Sequence, residues 1–302
     1  MSQLLRRRGI VHPSGVIIPP PVDPPPSGGP IAPPIGPWTT YDGGLTRADF
    51  AEQAYIHTGG AVSLSKIFVK NCTDRGVGAM QWQPPSQVTI PGWITCTDCK
   101  ADHIMRSPPH SGNGTCEAGF WFGNPVKAAR LIATNCGWMG IWTGNRCIAP
   151  ANDPSIIEDF LVTGSNMTGV YLEHDTVNII LRRGLIDTPN DRAVIIEWWY
   201  GGEGNVGTMH GSHDILFDNV EFKQEVFLDA GTYGVRFRNC TFWANVRLPN
   251  KLMDPYDNNV ATANRNYTQS THPNPNVVEN NCIFKPGAAI AYHTNNIGWG
   301  GQ

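Results

Sequence analysis

Apolar residues in this chain return at every second position, in short bursts cut off by turn-forming residues. Gly140-Ile141-Trp142-Thr143, Gly169-Val170-Tyr171-Leu172-Glu173, Ala193-Val194-Ile195-Ile196-Glu197 and Val226-Phe227-Leu228-Asp229 are four such bursts. Two-residue alternation is the signature of a strand, whose successive side chains leave on opposite faces. Val170, Leu172, Val194, Ile196, Val226 and Leu228 therefore share an interior face. Trp142, Tyr171, Ile195 and Phe227 fall on the opposite face, together with Glu173, Glu197 and Asp229. The pattern predicts an outward aromatic strip beside an outward acidic column. Apart from a short stretch near residues 45–55, no window carries the apolar stripe of a helix.

The bursts repeat. Lys-Asn-Cys ends at Cys72, Thr-Asn-Cys at Cys136, Arg-Asn-Cys at Cys240 and Asn-Asn-Cys at Cys282. FLVTGSNMTGV (160–170) matches GLIDTPNDRAV (184–194) position for position, and NVEFKQEV (219–226) matches NCTFWANV (239–246). Aligned on the residue before each Cys, one column reads Asn71, Thr95, Asn135, Gly164, Thr188, Asn219, Asn239 and Asn281. The next reads Cys72, Cys96, Cys136, Ser165, Cys240 and Cys282. Units of about 20–25 residues, some eight in all, mark an architecture in which each unit buries its apolar face only against its neighbours. Asn side chains are expected to bond up and down such a stack, and Cys to pack inside it as a small hydrophobe.

Composition narrows the classes. Charged residues make up 16% of the chain, with 33 Gly and 25 Pro, which favours strands and turns. Net charge is −3, and the one basic run, Arg6-Arg7-Arg8, is too short for nucleic-acid binding. The apolar residues behind that run are broken by Gly9, Pro13, Gly15 and Pro19-Pro20-Pro21. Neither a signal peptide nor a membrane span is expected there. Proline recurs through residues 13–37, which favours extended polyproline II with no core of its own. The chain therefore reads as a Pro-rich extended anchoring arm (1–45), an N-terminal cap (46–61) and a stacked-strand body (62–302). Lateral insertions cover His103–Pro125, Thr143–Pro154, Trp198–Ser212 and Asn250–Pro275, and loops gathered on one side of a rigid scaffold are where binding resides. With so little core, the arm is expected to lie against another subunit or a neighbouring protein.

The Asn-ended turns and the apolar-x-apolar rungs resemble the right-handed parallel β-helix of the pectate-lyase-like type. Joined to a Pro-rich arm, that architecture also resembles tail-spike and minor tail proteins of bacteriophages. The resemblance implies an all-β, right-handed parallel β-helix located in a virion, in its tail or on its outer surface. It implies attachment to other virion proteins through residues 1–45, a homo-oligomer with a trimer favoured, and host cell-surface polysaccharide as a ligand. No cofactor is implied. Two alternatives stay open: a polysaccharide-degrading enzyme, hydrolase or lyase, and a capsid decoration protein.

Candidate chemistry centres on the acidic column. Neighbouring strands lie about 4.8 Å apart, which sets Glu173 and Glu197 about 5 Å apart and Glu173 and Asp229 about 10 Å apart. Carboxylates about 5–5.5 Å apart suit a retaining glycosidase, and about 6.5–9.5 Å an inverting one. His174, Asp175 and His210 stand nearby in sequence. The competing reading is a solvated acidic face. Trp142, Tyr171 and Phe227, with Trp198 and Trp199 in the following insertion, serve equally as a sugar platform or a subunit interface. The lyase chemistry of the resembled family implies an Arg or Lys base; Arg182, Arg183 and Arg192 are near in sequence, but no motif ties them to the acids. Cys96 and Cys99, followed by His103, His110 and Cys116, supply half of a zinc pattern. Cys96 already belongs to the interior column, so no metal is expected. Disulfides Cys99–Cys116 and Cys136–Cys147 are the remaining alternatives.

Overall fold

The computed structural model describes residues 31–43, 61–72, 75–79, 92–104, 118–143, 147–165, 167–173, 176–189, 192–197, 212–253 and 267–294. Among these residues twenty strands, numbered β1–β20 along the chain, form two sheets, and there is no helix. The longer sheet runs β1 (Thr39–Asp42), β3 (Ile67–Cys72), β5 (Ile94–Ile104), β7 (Val126–Thr134), β9 (Ser155–Thr163), β11 (Val177–Asp187), β13 (His213–Phe222), β15 (Tyr233–Arg238), β18 (Val277–Val278). Beside this path lie β2 (Val62–Ser65), β16 (Thr241–Phe242) and β19 (Ile283–Phe284). The shorter sheet runs β4 (Arg75–Ala79), β6 (Ala118–Phe122), β8 (Met139–Thr143), β10 (Thr168–Leu172), β12 (Arg192–Ile196), β14 (Glu225–Leu228), β17 (Val246–Pro249), β20 (Ile290–His293). All strand pairing within both sheets is parallel, and from β3 to β14 the chain passes alternately from one sheet to the other.

One apolar core fills the space shared by the two sheets. Val170, Leu172, Val194, Ile196, Val226 and Leu228 all belong to it, as the alternation predicts. The internal repeats are also in register: Phe160 pairs with Gly184, Val162 with Ile186 and Val170 with Val194. Glu221 pairs with Thr241, Phe222 with Phe242 and Val226 with Val246. One interior column runs Val69, Ala101, Ala133, Val162, Ile186, Phe222, Phe242, Phe284, so core side chains grow along the stack. At the large end, Phe222 and Phe242 stack at 5.1 Å and Phe242 and Phe284 at 5.0 Å, with Phe237 set edge-on to Phe222. At the small end, glycines of the shorter sheet press on the column. A Cβ on Gly140 would stand 2.1 Å from Val162 Cγ1, and one on Gly169 2.2 Å from Ile186 Cγ2.

The Asn/Cys alignment needs a correction. Strand register defines two bend columns in the longer sheet, five residues apart within each repeat. The first is Lys66, Asp98, Arg130, Asp159, Arg183, Asn219, Asn239, Asn281, and Lys66 through Asn239 all have positive φ. The second is Asn71, His103, Asn135, Gly164, Thr188, and its first four members have positive φ. Asn219, Asn239 and Asn281 thus belong to a different bend from Asn71 and Asn135, and Thr95 lies within β5 opposite Lys127. Cys99, not Cys96, shares the interior column of Cys240 and Cys282. The expected Asn stacking is present between Asn281 and Asn239, where Asn281 Nδ2 donates to Asn239 Oδ1 at 2.6 Å. Asn71 and Asn135 donate instead to carboxylates, Asp42 at 3.0 Å and Asp102 at 3.0 Å.

The described end of the arm rests on its own chain. Residues 39–42 form β1, the edge strand beside β3, and residues 31–38 lie along the first bend column. Residues 1–30 of the arm and 46–60 of the cap lie outside the described residues.

Candidate functional site

Glu173, Glu197 and Asp229 stand immediately after β10, β12 and β14. The Glu173 amide donates to Thr143 O at 3.1 Å, Glu197 to Leu172 O at 2.8 Å and Asp229 to Ile196 O at 2.8 Å. Three acids thus follow one another at the spacing of neighbouring strands, about 4.8 Å per step. Two residues upstream runs the column Trp121, Trp142, Tyr171, Ile195, Phe227. Trp121 and Trp142 are stacked at 4.9 Å with an interplanar angle of 8°, and Tyr171 follows at 6.5 Å. The two columns are joined by hydrogen bonds. Trp142 Nε1–H donates to Glu173 Oε2 at 3.0 Å, and the Tyr171 hydroxyl donates to Glu197 Oε2.

The strip faces away from the main core, as expected, but it is not open to solvent. Trp121, Trp142, Tyr171 and Ile195 form a second apolar cluster with Ala118 and Met139. Tyr171 is 2% exposed, Phe227 4% and Trp142 7%. Nor are the acids a solvated face: Glu197 is 1% exposed and Asp229 fully buried, while Glu173 is half-buried. Alternation assigns a side chain to a face of a sheet; it carries no information on what covers that face. Asp229 Oδ1 accepts the Ala230 amide at 2.9 Å, and Ser212 Oγ donates to Glu173 O at 2.7 Å. His293 stacks on Phe227 at 4.4 Å and donates from Nε2 to Leu228 O at 2.9 Å, extending the same face.

No family model matches this chain, and neither the characterised proteins nor the solved structures contain a match. The site must be read from its own geometry.

The remaining candidates separate. Arg182 and Arg183 lie in the longer sheet and bind Glu158 and Asp159, away from the acid column. Arg192 shares the shorter sheet but starts β12, five residues before Glu197; its guanidinium lies 4.9 Å from the Phe227 ring, with Glu225 at 3.9 Å. Cys96 and Cys99 are buried in the core, whereas His103 sits at the second bend, bonded to Asp102 at 2.9 Å. The zinc half-pattern is therefore split between interior and surface. Cys99, Cys136 and Cys147 are free thiols, so the Cys136–Cys147 disulfide is not formed. Burial pushes Cys136 well up, out of the range of thiolate chemistry. Trp198, Trp199, His174, Asp175, His110, Cys116 and His210 lie outside the described residues. Among the described residues no group of three or more acidic, His or Cys side chains is placed to hold a metal, and no helix is long and apolar enough to cross a membrane.

Two features escaped the sequence reading. Trp121 heads the aromatic strip, and Gly119-Phe120-Trp121-Phe122 carries the same burst as Gly140-Ile141-Trp142-Thr143. The first bend column carries Lys66, Asp98, Arg130, Asp159 and Arg183, alternating in sign. Arg130 Nε and Nη2 donate to Asp98 Oδ1 and Oδ2 at 2.6 and 2.9 Å. Arg183 repeats the fork on Asp159 at 2.7 and 2.9 Å. A search for identical residues cannot find a column built on complementarity.

Proposed function

We propose that the chain is a right-handed parallel β-helix serving as a structural component of a bacteriophage virion, in the tail tip or a tail-fibre-like appendage. The arm fixes it to a neighbouring virion protein, and the lateral loops meet a host glycan or another virion protein. A homotrimer suits this role, because repeated weak glycan contacts on one particle gain through effective concentration. The observation that carries the reading is the state of the acid column. Tyr171 and Trp142 tie Glu197 and Glu173 into a buried aromatic stack, so the side chains an enzyme would need are engaged in holding the face together. The parallel two-sheet body and the arm seated on its flank fit a rigid, anchored component.

Glu173, Glu197 and Asp229, in register at strand spacing, favour a polysaccharide hydrolase or lyase as the second reading. A capsid decoration protein differs from the first only in location. The test is incubation of the intact protein and of Glu197→Gln with host envelope polysaccharide, reading reducing ends and unsaturated uronides. No release from either is expected. Release by the intact protein that Glu197→Gln abolishes makes it an enzyme. Deleting residues 1–30 is expected to leave the body folded and to prevent incorporation into particles; incorporation at the normal level removes the arm from the account.

A further inference from the structure

The alternating bend column does more than join repeats: it receives the root of the arm. Asp98 Oδ1, already bonded to Arg130 Nε, accepts the Ile35 amide at 2.9 Å. Two strands further along, Asp159 Oδ1, already bonded to Arg183 Nε, accepts the Ala32 amide at 3.2 Å. The same three-part arrangement of arginine fork, carboxylate and arm amide thus occurs twice. Two strand spacings are about 9.6 Å. Three residues of polyproline II span about 9.3 Å. The arm's extended step therefore keeps phase with every second repeat.

The local sequence Ile31-Ala32-Pro33-Pro34-Ile35-Gly36-Pro37-Trp38 is written for that match. Pro33 and Pro34 have no amide hydrogen and hold the chain extended, and the residues on either side supply the two donors. Ile31 and Ile35 are 36% and 60% exposed, so at this part of the segment recognition runs through the backbone. Trp38 closes the segment. Its Nε1–H donates to Asp98 O at 2.8 Å and Lys100 Nζ lies 3.8 Å from its ring. A Cβ on Gly36 would stand 2.8 Å from that ring, so the glycine lets the indole fold back.

We propose that this charged column is a binding site for an extended proline-rich peptide offering a backbone N–H at every third residue, occupied in cis by residues 31–38. At Ala32 and Ile35 the site selects the spacing and presence of a backbone N–H, and only at Trp38 does it read a side chain. It fixes the described root of the arm on the flank, with Ala32 at the level of Asp159 and Ile35 at that of Asp98. The inference does not depend on the virion reading.

Hydrogen exchange on the full-length chain tests it. The Ala32 and Ile35 amides and the Trp38 indole N–H are expected to be protected. Deleting Pro34 brings the two donors to two-residue spacing and out of phase; protection of the Trp38 indole and of at least one of the two amides is expected to fall about tenfold or more. Ala32→Pro with Ile35→Pro removes both donors while keeping the backbone extended, and is expected to free the site. A fluorescent peptide IAPPI, which carries the two amide donors but not the tryptophan that the variant keeps in place, titrated to millimolar concentration, then binds this variant about tenfold more tightly than the wild-type chain, where the cis segment competes. A matching thermal melt confirms an intact body. Wild-type protection in the Pro34 deletion, or no peptide binding to the double variant, overturns the proposal. Loss of activity in particle assembly with the peptide site intact bears on the virion reading alone.

Discussion

The first bend column is built in two chemistries. Its first five positions alternate in sign, Lys66, Asp98, Arg130, Asp159 and Arg183, and its last three are Asn219, Asn239 and Asn281. The backbone demand is shared, since Lys66 through Asn239 all adopt positive φ, a conformation that costs most L-residues roughly 1–2 kcal/mol and Asn less. An amide both donates and accepts, so Asn can stack on Asn indefinitely, as Asn281 does on Asn239. Charges cannot repeat: like signs one strand apart repel, so the column must alternate. Alternation makes each position specific, and it leaves each carboxylate able to accept a bond from outside the column. The arm docks there. The interiors diverge as well, with Ala101, Ala133 and Val162 beneath the charged half and Phe222, Phe242 and Phe284 beneath the amide half. One backbone path thus gives an Asn-on-Asn step in one half and a charged ladder that receives the arm in the other.

The largest effect is expected in the interior. Phe237→Ala removes a ring that packs against Phe217, Phe222 and Phe242, and should cost about 3–5 kcal/mol in urea denaturation. Ile186→Val, in the smaller-residue part of the core, should cost about 0.5–1.5 kcal/mol. A Phe237→Ala loss below about 2 kcal/mol would mean that its three ring contacts do not carry the packing of this end. Next comes the charged column. Arg130→Ala strips the forked partner from Asp98, whose side chain is 9% exposed, and should cost about 1–3 kcal/mol. The pair swap Asp98→Arg with Arg130→Asp decides whether this is a ladder. For an isolated pair the swap restores stability. In a ladder it sets the introduced guanidinium against Lys66 and the introduced carboxylate against Asp159, so the swap should be no more stable than Arg130→Ala by the same denaturation.

The slip in the Asn alignment shows where sequence stops. Lys66 and Asn71 are bends of the same repeat, five residues apart, and Asn239 belongs with the former. Both bends demand a left-handed residue followed by an interior side chain, and Asn-Cys answers both demands. Nothing local separates Asn71-Cys72 from Asn239-Cys240; only strand pairing does. Repeats matched over eight or more residues, 160–170 with 184–194 and 219–226 with 239–246, came out in register because they carry the bend and both flanking strands. The all-β class, the parallel stacking and the interior face were legible for the same reason. The burial of Trp142, Tyr171 and Glu197 was not, because a two-residue period is blind to what lies over a face.

In the amide half a single charge should be felt. Asn239 Nδ2 donates to Asp218 Oδ1 at 2.9 Å, and Asp218 is fully buried and paired with Arg238 at 2.8 Å. Asn239→Asp turns that donor into a second carboxylate, at a cost of roughly 1 kcal/mol. The loss should shrink as the pH falls through the carboxylate range, read from melting temperatures at pH 7 and pH 4. A loss that ignores pH would point to the left-handed backbone instead.

The smallest effect concerns ordinary pH changes, to which the arm's seat should be indifferent. The Arg130 hydrogen bond holds Asp98 below the usual carboxylate range, against burial, and the Ile35 amide and the charge of Lys66 add to it. Burial alone would raise Asp159, but the Arg183 fork, the Ala32 amide and the charge of Arg130 outweigh it and bring it low as well. Glu158, shared between Arg182 and Arg183, and Lys100, over the Trp38 ring, complete the charged surroundings. A carboxylate depressed in the folded state binds protons less readily there than when unfolded. Its contribution is therefore complete above its unfolded value, about pH 3.9, and is lost as the pH falls through the lower folded value. Protection of the Ala32 and Ile35 amides, corrected for intrinsic exchange, should stay constant from pH 7 to about pH 4 and collapse only below. Loss of protection between pH 5 and 6 would mean that a group other than the two aspartates holds the arm in place.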